Sequence, residues 1–82
     1  MTVNDLIEKC YGTHRKYRFD GHRYFVSPDE FRSCYECDEN AWYAEVSKFT
    51  LGGAPADHLI TITLEDPNYY PEEVTPYDFR GY

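Results

Sequence analysis

The stretch that decides the fold is KYRFDGHRYFV, at positions 16–26. Two short runs rich in aromatic residues flank the pair Asp20-Gly21. Asp-Gly is typical of a two-residue type I′ turn, in which both central residues need a positive φ. We therefore predict a β-hairpin with strands over residues 15–19 and 22–26.

The two faces of this hairpin differ in character. Tyr17 would lie opposite Tyr24 and Phe19 opposite His22, so that one face is aromatic and belongs on a core. The other face carries three basic side chains, which we expect to be solvated. They are Lys16, Arg18 and Arg23.

Helix signals stand on both sides of the hairpin. Thr2 and Asp5 have the spacing of a capping box, which predicts a helix near residues 3–11. Ser27-Pro28, with Glu30 closing a second box, predicts a helix near residues 28–35.

Two further strands are predicted near residues 42–51 and 59–65. In the second, alternation points Ile60, Ile62 and Leu64 inward and Thr61 and Thr63 outward. The predicted fold class is α+β: an antiparallel sheet of about four strands in the order α-β-β-α-β-β, with one or two short helices packed on one face. Residues 1–66 would form this single domain, and residues 67–82 a Pro/Tyr-rich acidic tail docked on it.

Charge is distributed unevenly along the 82 residues, whose formal net charge is −7. The chain is nearly neutral up to Arg32 and carries a net −8 after it. An acidic half repels phosphate backbones and anionic membranes, so we expect no direct DNA binding and no membrane partner. We find no apolar run of the ~20 residues that span a bilayer and no signal peptide. Three cysteines are an odd count, so the chain is expected in a reducing cytoplasm.

One set of residues could hold a metal. Cys34-x₂-Cys37 has the spacing of a zinc half-site, whereas Cys10-x₃-His14 is interrupted by Gly12 and fits it poorly. We expect no cofactor, although a structural-zinc module remains an alternative function, as does an adaptor in a regulatory assembly. No nucleophile stands at a recognisable spacing from a base, so no catalytic residue is assigned and no enzyme is predicted.

The second half is both acidic and aromatic. Spaced carboxylates can imitate a phosphate backbone, and tyrosines supply rigid contact area of the kind enriched at interface hot spots. The partner would be a basic nucleic-acid-binding protein; the oligomeric state is left open. The predicted partner-binding residues are Glu36, Asp38, Glu39, Trp42, Tyr43, Glu65, Asp66, Tyr69, Tyr70, Glu72, Glu73, Tyr77 and Asp78.

In size, acidity, tyrosine content and α+β layout, the chain resembles small phage-borne inhibitors of bacterial defence, such as anti-CRISPR proteins and DNA mimics. The resemblance covers the character of the whole chain and includes no shared motif. It implies a non-enzymatic inhibitor whose partner could be a CRISPR-Cas or other defence effector. The basic residues Lys16, Arg18 and Arg23 depart from a wholly acidic mimic and leave contact with RNA or an acidic protein open.

Overall fold

In the residues that the structure describes, three short helices and a three-stranded sheet make up the fold. The structure, a computed structural model, describes residues 1–11, 13–53 and 58–74. In chain order the elements are α1 Val3–Glu8, β1 Lys16–Phe19, α2 Pro28–Tyr35, α3 Glu39–Trp42, β2 Val46–Gly52, β3 Leu59–Leu64 and a 3₁₀ turn Pro67–Tyr69. None of the helices in these ranges is long and apolar enough to cross a membrane.

Capping boxes start both of the predicted helices. At α1 the Thr2 hydroxyl accepts from the Asp5 backbone N–H at 3.2 Å, and the Asp5 carboxylate accepts from the Thr2 backbone N–H at 3.2 Å. The hydrogen bond from the Thr2 backbone N–H to the Asp5 carboxylate lowers the pKa of Asp5 below its usual value. Helix α1 ends three residues before the predicted boundary, at Glu8. Helix α2 begins after the cap Ser27 and has the predicted bounds.

The sheet is mixed, with strand order β1-β3-β2. The central strand, β3, runs parallel to β1 and antiparallel to β2. The α+β class is confirmed, but the prediction of four antiparallel strands in the order α-β-β-α-β-β is wrong. Of β3, the predicted inward residues Ile60, Ile62 and Leu64 are buried, as the alternation indicated.

The predicted hairpin does not form, although its turn does. His22 N–H donates to Phe19 O at 3.0 Å, and Gly21 has φ +92° while Asp20 does not have a positive φ. A type I′ turn needs both, and a turn with only its third residue at positive φ splays the strands that follow. Asp20 N–H instead donates to Ile62 O of β3 at 2.8 Å. Residues 22–25 therefore leave the sheet, and the chain returns to β1 only at the isolated bridge between Tyr17 and Val26.

The predicted strand over residues 42–51 is shorter at its start. Asp38 caps a four-residue helix, α3, through a hydrogen bond to Ala41 N–H at 3.3 Å. Trp42 is therefore helical, and its indole N–H donates to Asn4 Oδ1 at 2.7 Å, tying α3 to α1. Strand β2 begins only at Val46.

Phe19 lies at the centre of an aromatic core between the sheet and α2. Its ring centroid is 4.9 Å from that of Phe31, 5.2 Å from Tyr35 and 6.2 Å from Tyr70. Edge-to-face and tilted pairs at such distances add to the stability gained by burial. The core continues through the buried side chains of α1, α3 and β3 on the same face of the sheet.

Residues 70–74 lie against this core through hydrogen bonds to side chains. The Tyr70 hydroxyl accepts from Leu64 N–H at 2.8 Å, and the Tyr35 hydroxyl accepts from Val74 N–H at 3.2 Å. Glu73 accepts from two backbone N–H groups, those of residues 23 and 24, at 2.7 and 2.8 Å. Residues 75–82 of the predicted tail lie outside the described residues.

Tyr17 gives the first testable prediction. Its hydroxyl is buried near the side chains of Cys10 and Thr13, and in the described part of the chain no partner is placed to form a well-aligned hydrogen bond with it. An unsatisfied buried hydroxyl costs about 1–3 kcal/mol, so we expect Tyr17→Phe to raise the free energy of unfolding by about 1 kcal/mol. Urea unfolding at pH 8 measures this change, with exposed Tyr43→Phe as the control. A loss of stability in Tyr17→Phe would contradict the assignment.

The same residue should also make stability depend on alkaline pH. Burial raises the pKa of Tyr17 to about 12, above the value of about 10 in an unfolded chain. The fold therefore favours the neutral phenol over the phenolate. This preference stabilises the fold in full below pH 10, and the free energy of unfolding decreases as pH rises from about 10 to 12. In Tyr17→Phe the alkaline decrease should be smaller. It should not vanish, because burial also raises the pKa of Tyr35.

Candidate functional site

An acidic cleft lies at the end of the sheet where β3 ends and β2 begins. Its volume is about 420 Å³, within the range of about 300–1,000 Å³ found for binding sites. Four carboxylates and two tyrosines dominate its lining. The lining residues are Glu39, Asn40, Tyr43, Ala44, Glu45, Glu65, Asp66 and Tyr69.

Helix α3 supplies one wall of the cleft. Its Ala41 and Trp42 are buried, so Glu39, at the first helical position, and Tyr43, just past the end, project from the core. Tyr43 is 59 % exposed, the highest value among the large aromatic and aliphatic side chains of the described residues. The anchoring of Trp42 on Asn4 holds this wall in place.

The floor is formed by two adjoining segments beside the strands. Glu65 N–H donates to Glu45 O at 3.0 Å, which places the two residues side by side where β3 ends. Glu45 also pairs with Thr2 in an isolated bridge. Its Oε2 lies 3.0 Å from the ammonium group of Met1, an ion pair that is largely exposed.

The turn after β3 supplies two further residues of the cleft lining, Asp66 and Tyr69. The Asp66 side chain caps the 3₁₀ turn by accepting from Asn68 N–H at 2.9 Å. Tyr69 N–H donates to Asp66 O at 3.2 Å, and the Tyr69 ring remains 44 % exposed. One local turn therefore sets both a carboxylate and a phenol on the cleft.

This arrangement suits a cationic guest. The carboxylates provide acceptor oxygens for an ammonium or guanidinium group, and exposed phenol rings can stack on a guanidinium plane. A lysine or arginine side chain of another protein has this chemistry. The groups of the cleft do not provide a metal site: within residues 1–11, 13–53 and 58–74, no three His, Cys, Asp or Glu side chains are placed to hold a metal ion.

Five of the thirteen predicted partner-binding residues meet in the cleft: Glu39, Tyr43, Glu65, Asp66 and Tyr69. Glu45, Asn40 and Ala44 are absent from that predicted set. The acidic character of Glu45 was the available sequence signal for its role. Its place beside Glu65 depends on pairing between residues far apart in the chain, which no local pattern indicates.

Four of the other predicted residues have structural contacts. Trp42 is 1 % exposed and belongs to the core. Asp38 caps α3, the Tyr70 hydroxyl binds the backbone of β3, and Glu73 binds the backbone after the Asp20-Gly21 turn. These side chains are therefore poor candidates for direct contact with a partner.

Of the remaining predicted residues, Glu36 and Glu72 are described by the structure, and neither lines the cleft. Glu36 is exposed and forms an ion pair with Arg32 at 2.6 Å. The hydrogen bond from Arg32 to the Tyr11 hydroxyl, followed by this ion pair, raises the pKa of the guanidinium. Glu72 is exposed. Tyr77 and Asp78 lie outside the described residues.

The four residues considered for zinc differ in exposure. Cys10 and Cys34 are buried, whereas Cys37 and His14 are exposed. Burial raises the pKa of the Cys34 thiol, which disfavours the thiolate that zinc or redox chemistry needs. The expectation of a chain without zinc stays a prediction.

Comparison with known proteins adds no assignment to this geometry. No protein family, curated protein or solved structure matches the chain.

Proposed function

We propose that this chain is a non-enzymatic binding protein that occupies a basic, nucleic-acid-binding surface of a partner protein. The acidic cleft is the observation that carries the proposal. Four carboxylates line it: Glu39 and Glu65 have no ion pair in the described residues, whereas Glu45 pairs with the Met1 ammonium and Asp66 also accepts from Asn68 N–H. Two exposed tyrosines complete the lining. Lysine and arginine side chains that normally contact phosphates are the matching groups on a partner.

Electrostatics supports a protein partner rather than a nucleic acid. The chain has a net charge of −7, and a phosphate backbone would be repelled by it. A basic groove would be attracted, and opposite fields steer and accelerate the encounter. The role is that of an inhibitor, because a groove filled by this chain is closed to its own ligand. A phage-borne inhibitor acting in the cytoplasm of a bacterial host, of the anti-CRISPR or DNA-mimic kind, fits this role.

The test is a competition experiment. The full chain is used to capture a partner from a bacterial lysate, and the purified partner is then titrated with its own DNA or RNA at several concentrations of the chain. We expect nucleic-acid binding to fall in proportion to the chain bound. Association should also slow steeply as salt is raised from 50 to 500 mM, since screening shortens the reach of opposite charges to about 10 Å or less.

Two outcomes distinguish inhibition from an adaptor role. A partner that releases its nucleic acid when the chain binds supports occlusion of the groove. A partner that holds the chain and its nucleic acid together, each at full affinity, would falsify the proposal and leave the adaptor alternative.

A further inference from the structure

Strand β2 forms an edge of the sheet that the described residues leave open. It pairs with β3 on one side, and in residues 1–11, 13–53 and 58–74 no strand pairs with its other side. Met1 covers only its first residue, through the hydrogen bond from Val46 N–H to Met1 O at 2.8 Å. Alternate residues of an edge strand direct unpaired N–H and C=O groups outward, ready to pair with another strand.

Two large apolar side chains on this edge lie on the core face without being buried. Phe49 stands beside Ile62 and Leu51 beside Ile60 in the β2–β3 register. The two isoleucines are buried, whereas Phe49 is 47 % and Leu51 45 % exposed. In the described ranges the helical layer thus covers β1, β3 and the start of β2 at Val46, and it leaves Phe49 and Leu51 half exposed. A strand added to β2 would bury both side chains against its own inward residues.

The opposite face of the same strands is basic. The register places Lys16 and Arg18 of β1 and Lys48 of β2 on the outer face, together with Thr50, Thr61 and Thr63. No residue of this face within the three strands is acidic. Arg18 is held by hydrogen bonds to Thr61 and to His22 O and stacks on the Phe25 ring, whereas Lys48 has no ion pair in the described part of the chain.

We propose that the open edge of β2 binds an extended segment of another protein in which apolar residues alternate with carboxylates. Main-chain hydrogen bonds to the edge would give affinity, and the alternation would give specificity. The apolar residues would cover Phe49 and Leu51 on the core face. The carboxylates between them would meet Lys48 on the outer face. This surface is distinct from the acidic cleft. The edge prefers an acidic segment, whereas the cleft prefers a basic one.

A second copy of the chain fits the edge less well. Two copies of β2 would bring two Lys48 side chains to one outer face, and β2 has no carboxylate to pair with either. The edge chemistry therefore favours a different, acidic strand.

A designed peptide tests the proposal directly. The probe is a capped ten-residue peptide of alternating Glu and Val, added to the full ¹⁵N-labelled chain at 0.15 M salt. Its controls are a peptide of the same composition with the Glu and Val in separate blocks, and an alternating Lys-Val peptide. We expect the alternating Glu-Val peptide to shift the amide signals of residues 47–52 and slow their hydrogen exchange. The two controls should not.

Backbone pairing is separated from simple charge attraction by N-methylation. Only every second N–H of an added strand faces β2, so methylation of all Val amides or of all Glu amides blocks one set. One of the two methylated peptides should bind as before and the other should lose binding. Equal behaviour of the two would overturn the strand-pairing proposal.

Protein variants test the side chains. Lys48→Glu should weaken the Glu-Val peptide about fivefold, as expected for one exposed ion pair of about 1 kcal/mol, and should allow the Lys-Val peptide to bind. Phe49→Thr with Leu51→Thr should abolish binding of the Glu-Val peptide while leaving the fold intact, since both side chains are half exposed. Glu39→Lys with Glu65→Lys should bind the peptide at least as well as the unaltered chain. Failure of the edge proposal can therefore be told apart from failure of the proposed function of the cleft.

Three results would overturn the proposal. The first is equal binding of the alternating Glu-Val peptide and the peptide with Glu and Val in separate blocks. The second is slow exchange of the outward amides of β2 in the free monomer, which would mean that the chain itself covers the edge. The third is a concentration-dependent dimer whose interface includes residues 47–52.

Discussion

Glu39→Lys combined with Glu65→Lys should weaken binding of the chain to a basic partner by about 30-fold or more. Each reversal removes an attractive carboxylate of the cleft and replaces it with a repulsive ammonium group. An exposed ion pair contributes up to about 1 kcal/mol, and desolvated pairs at tight interfaces contribute more, so two lost pairs together cost about 2 kcal/mol or more. The effect should be largest at low salt and shrink as salt is raised.

A matched variant separates the cleft from overall charge. Glu8→Lys with Asp20→Lys changes the net charge by the same amount, and both residues are exposed outside the cleft. This control should slow association modestly and leave the dissociation rate unchanged. Surface plasmon resonance at three salt concentrations measures both rates. Equal weakening by the two double variants would mean that net charge alone binds the partner, and that the cleft has no particular role.

Phe19→Ala should lower the free energy of unfolding by about 3–5 kcal/mol, the usual range for a buried phenylalanine. Phe19 is 0 % exposed and contacts Phe31, Tyr35 and Tyr70. Natural domains have about 0.05–0.15 kcal/mol of stability per residue, so this loss would consume a large part of the total in 82 residues. Urea unfolding followed by Trp42 fluorescence measures it.

The structure offers a matched control for this substitution. Phe19 and Phe49 both stand beside Ile62, one on each side of β3 and on the same face of the sheet. Because Phe49 is about half exposed, Phe49→Ala should cost less than half as much as Phe19→Ala. Similar losses at the two positions would show that β2 is covered in solution, which would also contradict the open edge.

The sequence was informative where the determinant is local. Capping boxes at Thr2 and Ser27 lie within three residues of the groups they satisfy, and both helices begin as predicted. The inward alternation of β3 is likewise contained in six residues. The turn at Asp20-Gly21 was also foreseen, but its type depends on where the chain goes next.

The errors arose where a distant segment decided the outcome. The hydrogen bond from Asp20 to Ile62 joins β1 to a strand far along the chain, and this parallel pairing displaced the hairpin. Parallel strands have no connecting turn whose residues could reveal them. The cleft shows the same limit. Its acidic and aromatic residues could be proposed from composition, whereas the meeting of Glu45 with Glu65 could not.

The central position of β3 has a consequence for how the chain reaches its fold. Both neighbours of β3 pair with it and not with each other. Apart from the isolated bridge between Tyr17 and Val26 and the hydrogen bond from Val46 to Met1, neither β1 nor β2 has a partner until the residues up to Leu64 are present. The β2–β3 pair can close locally, but β1 must find residues such as Thr61, 43 positions beyond Arg18. Contacts so far apart in sequence slow folding toward the millisecond-to-second range. On a ribosome, the aromatic residues of β1 would remain without their sheet until most of the chain had been made.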